Sequence, residues 1–128
     1  MKHQSSATNE TEKRRELRYG VTGMPNAKLL SPAGDEITFF FVDASKHGLG
    51  IIVDTPIQIG ANVLLTIEDT ELHKLHLEVR WIAPVDLLAT STAPSLSLYR
   101  CGLQAKDSEL DLVSIISKCQ NVSLEALV

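Results

Sequence analysis

The stretch ITFFFVDASKHGLGIIVD, residues 37–54, decides the fold. Its first part, ITFFFV (37–42), is dense in β-branched and aromatic side chains, which suit a pleated, half-buried surface. In LGIIVD (49–54), Leu49, Ile51 and Val53 alternate with other positions, the period of a strand that turns one face to a core. Between them DASKHG (43–48) holds the Asp, Ser and Gly of a turn. Two strands joined by a short turn are expected, and the same grammar continues in both directions.

Upstream, Ala27–Leu30 is a short apolar run and SPAGDE (31–36) a turn, so 27–30 is expected to form a hairpin with 37–42. Downstream, TPIQIGA (55–61) breaks the chain, Val63, Leu65 and Ile67 alternate, and EDTE (68–71) turns it again. In the next strand Leu75, Leu77, Val79 and Trp81 share one face, with Lys74, His76, Glu78 and Arg80 on the other, which assigns Trp81 to the core. Residues 83–98, with two prolines and a Ser/Thr-rich middle, read as a long connection. YRCGLQA (99–105) reads as the last strand, with Tyr99, Cys101 and Leu103 on its inner face. No βαβ alternation occurs, and an all-β, antiparallel barrel or sandwich of five or six strands is expected. The period then changes: Leu112, Ile115, Ile116 and Cys119 form a helical stripe, and Ser108 with Asp111 makes a capping box. A helix from about Ser108 to Gln120 is expected, with NVSLEALV adding a second helical turn in a C-terminal segment 107–128.

Composition bounds the function. A chain of 128 residues, 44% hydrophobic and 22% charged, has the size and balance of one globular domain. It needs no disulfide to fold, and no run approaches the roughly 20 apolar residues of a membrane span, so a cytoplasmic protein with reduced thiols is expected. The net charge of −4 is unevenly placed: residues 1–18 carry +2 and the remainder −6, and three of the five arginines fall within five positions. An acidic body disfavours DNA, RNA or a membrane as partner, because these need a broad positive surface. One small anion met by a local arginine cluster is compatible with it. Residues 1–12, polar and without apolar periodicity, read as a disordered tail.

Two segments carry more than scaffold. KRRELR (13–18) sets Arg14 and Arg18 four positions apart, and a guanidinium grips phosphate through a planar fork, donates to guanine O6 and N7, or stacks on a base. In DASKHG the Asp43 carboxylate suits the N1 and N2 donors of guanine, the Ser45 hydroxyl with nearby N–H groups suits phosphate, and Gly48 admits close backbone approach.

The order of these segments, RxxxR before the first strand and DxSxxG about 25 residues later, resembles the PilZ domain family. LGIIV after the glycine, Val79-Arg80-Trp81 at a strand end and the YRCGLQ strand agree with it, and the resemblance covers residues 13–106. It implies a six-stranded antiparallel β-barrel with a flexible N-terminal arm, acting as a bacterial receptor for cyclic di-GMP. It further implies that Arg14, Arg18 and the neighbouring Arg15 form an arm around the nucleotide, with Asp43, Ser45 and Gly48 as the barrel-side contacts. Where many members have a further arginine before the pair, this chain has Lys13, which keeps the charge and loses the fork. With no second domain expected, the signal would pass in trans to an unidentified protein effector. The rival within the same fold is an interaction adaptor that does not bind the nucleotide.

No catalytic or metal constellation stands out, and neither an enzyme nor a cofactor is expected. His73 and His76, three apart on a strand, fall on opposite faces, and Cys101 and Cys119 sit at apolar positions.

Overall fold

The computed structural model describes residues 16–85 and 97–127. The expected tail (1–12), Arg14 and Arg15, and most of the expected long connection lie outside the described residues. The chain runs β1 (Tyr19–Gly23), β2 (Ala27–Leu30), β3 (Glu36–Ile37), β4 (Phe39–Ala44), β5 (Gly48–Val53), β6 (Asn62–Glu68), β7 (Leu72–Pro84), β8 (Tyr99–Ala105), α1 (Leu112–Ser117) and β9 (Val122–Ala126). All strand pairs are antiparallel, in one sheet of order β3-β2-β6-β7-β8-β5-β4-β1-β9.

The all-β expectation holds, with nine strands among the described residues in place of six, forming a curled half-barrel. Three differences account for the count. YGVTG has no apolar alternation of its own, and becomes β1 because β4 and β9 flank it and supply its hydrogen bonds. The expected hairpin splits: β2 pairs with the two-residue β3, whereas Phe39–Ala44 leaves that edge to pair with β5 and β1. NVSLEALV is strand and not helix, with Val122, Leu124 and Ala126 facing Gly23, Val21 and Tyr19 of β1.

The concave face holds the core, which draws on β2 to β8: Leu29, Phe39, Phe41, Leu49, Ile51, Leu65, Leu75, Leu77, Val79 and Cys101 are among its buried residues. Phe39 and Phe41 meet edge to face at 5.2 Å. The helix closes this core through Leu112 and Ile116, both fully buried, and Cys119. It is shorter than its stripe. Asp111, not Ser108, caps it by accepting from the Ser114 N–H at 3.0 Å, the Cys119 N–H turns back to the Ile116 carbonyl, and Asn121 takes a left-handed φ of 63° that leads into β9.

Two bulges shape the convex face. In β4 the register slips between Phe41 and Asp43, leaving Val42 as the extra residue; in β7 it slips between Val79 and Trp81, leaving Arg80. Simple alternation would send Asp43 after Phe41, and Trp81 after Val79, into the core. The bulges turn both outward, so the assignment of Trp81 to the core is corrected: its indole is 43% exposed.

Candidate ligand-binding site

The outward turn of Asp43 and Trp81 places them in one row across four strands, paired as Asp43–Gly50–Gly102–Trp81 from β4 through β5 and β8 to β7. The two central glycines are required by close approach. A Cβ on Gly50 would collide with the Asp43 carboxylate, and one on Gly102 with the Trp81 indole. The result is a bare backbone floor with an acid lying over one end and an aromatic ring over the other.

Arginines converge on this floor from separate elements. Arg18 Nη1 donates to Asp43 Oδ1 at 2.9 Å from the residue before β1, and Arg100 Nη2 donates to Asp43 Oδ2 at 3.0 Å from β8. Asp43 is buried at 7% exposure, and both its oxygens are engaged; each guanidinium remains about half exposed. The pair of arginines therefore fixes the acid while keeping donor edges toward solvent. Arg80, on the outer face beside Trp81, lines the same depression.

The turn after β4 forms the other wall. The Ser45 N–H donates to the Gly48 carbonyl at 2.8 Å, and Ser45 Oγ accepts from the Gly48 N–H at 3.0 Å. Ser45 is buried, and Arg18 Nη2 would lie 3.8 Å from a Cβ placed on Gly48. At the tip, the His47 N–H donates to Glu16 Oε1 at 3.0 Å and His47 Nδ1 lies 3.1 Å from Glu16 Oε2, while His47 Nε2 lies 2.8 Å from the Ser108 carbonyl. Burial pushes the Glu16 carboxyl up, but its hydrogen bonds to Ser45 and to the backbone and ring of His47 outweigh this and hold it below the ordinary value. The whole depression is open and measures about 560 Å³, within the range of small-molecule sites.

Of the residues singled out in the sequence, Arg18, Asp43, Ser45 and Gly48 come together here. Asp43 belongs to the end of a strand and not to the turn. Sequence reasoning missed Glu16, His47, Gly50, Arg80, Trp81, Arg100, Gly102 and Gln104, all of which line the depression. The alternation in YRCGLQA already placed Arg100, Gly102 and Gln104 on the face opposite the core. Among the described residues there is no cluster of three His, Cys, Asp or Glu able to hold a metal, and no helix is long and apolar enough to cross a membrane.

The depression is a cation-rimmed shelf with one aromatic ring and a glycine floor on an antiparallel β-sheet. The chain belongs to the PilZ domain family, whose model matches residues 12–116. This family generally binds cyclic di-GMP, and its domains are typically non-enzymatic. No curated protein and no solved structure matches the chain.

Proposed function

We propose that the protein is a cytoplasmic cyclic di-GMP receptor that signals in trans to a protein effector. The observation that carries this is the Arg18–Asp43–Arg100 clamp lying on the Gly50–Gly102 floor beside Trp81. Each part answers one chemical feature of a cyclic dinucleotide. Guanidinium edges meet phosphate and the guanine O6/N7 edge, the Asp43 carboxylate holds those guanidiniums in place from beneath, and the exposed Trp81 ring offers a stacking face. Ser45 and Gly48 hold the turn whose N–H groups suit a phosphate oxygen. Arg14 and Arg15, four and three residues before Arg18, supply the remaining positive charge, and closure of this arm over the nucleotide changes the surface that the effector reads.

Isothermal titration calorimetry with cyclic di-GMP tests the reading. Saturable binding by the wild type is expected, weakened about tenfold or more by Arg14→Ala with Arg18→Ala, the loss of charge-assisted hydrogen bonds. GTP, a generic anion with one guanine, is expected to compete poorly. No heat with cyclic di-GMP would overturn the receptor assignment, and unchanged binding by the double variant would overturn the assigned arm.

A further inference from the structure

The anion-receptive edge of the Ser45–Gly48 turn is filled by the chain itself. Glu16 Oε1 takes the His47 N–H at 3.0 Å, and Oε2 lies 3.1 Å from His47 Nδ1. These are the donors that a phosphate oxygen would use, and a carboxylate is the protein's nearest chemical equivalent of a phosphodiester: one negative charge shared by two terminal oxygens, an acceptor only. Glu16 lies inside the arginine segment, two residues before the Arg18 that reaches Asp43. One segment thus delivers both a cation to the clamp and an anion to the turn.

The turn is tied in its other direction to the C-terminal part of the chain. His47 Nε2 lies 2.8 Å from the Ser108 carbonyl, the Leu112 N–H at the start of α1 donates to the Lys46 carbonyl at 2.8 Å, and the Ala105 N–H donates to the His47 carbonyl at 2.8 Å. Whatever sits on the His47 ring and N–H is therefore felt by the strand end and helix start that follow.

We propose that Glu16 is an internal competitor for the phosphate seat: its carboxylate occupies the His47 donors of the Ser45–Gly48 turn in the empty receptor and is displaced when a ligand phosphate takes them. This rests on the nucleotide-receptor reading and adds to it a residue that lowers affinity and links occupancy to the Ser108–Leu112 segment. Displacement exchanges one anion for another on the same donors, so the cost of removing Glu16 is subtracted from the affinity for ligand. Removing the charge beforehand removes that cost. A carboxylate that merely oriented the arm for binding would act in the opposite direction, since its loss would weaken the complex.

The test pairs two titrations of Glu16→Gln, which keeps the side-chain length and deletes the charge. Calorimetry with cyclic di-GMP is expected to show binding tightened about three- to tenfold relative to wild type, the range for a partly exposed charged contact. Glu78→Gln, which deletes a second carboxylate from the same outer face (paired opposite Gln104), is expected to change affinity less than twofold. The second titration uses inorganic phosphate, followed by amide NMR. Saturable shifts of Ser45 and His47 are expected in Glu16→Gln and not in wild type, whose seat is filled. Weaker or unchanged nucleotide binding by Glu16→Gln, equal tightening by Glu78→Gln, or equal phosphate shifts in wild type and variant would each overturn the competitor. If neither protein binds the nucleotide, the receptor reading falls, and the phosphate titration alone decides whether Glu16 fills an anion seat.

Discussion

Asp43 is a charged side chain at 7% exposure, a placement that is costly unless the charge is matched. Arg18 and Arg100 match it from outside the core, each about half exposed, so the acid is held by partners that remain solvated. Asp43→Ala removes the anchor and leaves two hydrated guanidiniums that can separate; a stability loss below about 1 kcal/mol is expected from the lost ion pairs, with ligand affinity reduced at least about tenfold. Urea melts beside calorimetry check both halves. Gly50→Ala tests the floor by the opposite route: its Cβ would strike the Asp43 carboxylate, so binding is expected to fail although both partners of the clamp remain. Glu16 adds a pH signature. Its folded-state value lies below the ordinary 4.5, so its contacts contribute fully above about pH 4.5 and are lost as the pH falls through that lower folded-state value. A carbon-detected NMR titration of the Glu16 side-chain carboxyl is expected to give a midpoint below 4.5; a midpoint at or above 4.5 would contradict the lowered value. The Cys101 thiol is fully buried and pushed up to about 11 by burial, which makes it inert to alkylation at pH 8 until the protein unfolds.

At the scale of elements, the parts of the fold legible in the sequence were those in which one side chain in two faces the core without interruption. Leu49-Ile51-Val53, Val63-Leu65-Ile67 and Leu75-Leu77-Val79 are such runs, and each is a buried stripe in its strand. What escaped were the places where a second element overrides local pattern. YGVTG has two glycines in five residues, and its strand state is decided by β4 and β9, which sequence spacing does not reveal. The bulges at Val42 and Arg80 are the sharper case, because one inserted residue reverses every facing after it. That reversal hid Trp81 as core and makes it part of the site. Asp43 was found despite its bulge because its spacing to Ser45 and Gly48 was read as a motif and not as a pattern of faces. The helix was legible by stripe and misjudged in length, since Leu112 and Ile116 alone reach the core fully. Ile116→Ala is accordingly expected to destabilise by about 2–5 kcal/mol, and Asp111→Ala by about 1 kcal/mol. Chemical denaturation distinguishes a helix that plugs the half-barrel from one that decorates it, for which Ile116→Ala would cost little.

For the whole molecule, the proposed receptor role requires a chain of net charge −4 to receive an anion. The depression gathers Arg18, Arg80 and Arg100 around Asp43 and Glu16, so its local balance is positive while the body stays acidic. The range of that balance sets the selectivity. At physiological ionic strength charges separated by more than about 8 Å are largely screened, so a small dianion seated among the arginines experiences them and little of the remaining surface. A polyanion that must lie across the body meets its carboxylates as well. Lys74 and Trp81 lie on the same strand, seven residues or roughly 20 Å apart. Lys74→Glu changes the net charge by two and is expected to leave cyclic di-GMP affinity within about twofold at 0.15 M salt. Arg80→Ala changes it by one, at the rim of the depression, and is expected to weaken binding about three- to tenfold. The ordering is the prediction: if affinity follows net charge, Lys74→Glu has the larger effect, and if it follows the local arginine set, Arg80→Ala does. Repeating both titrations at 0.5 M salt extends the same argument, because screening removes the distant contribution first and should leave the Arg80 effect the larger of the two.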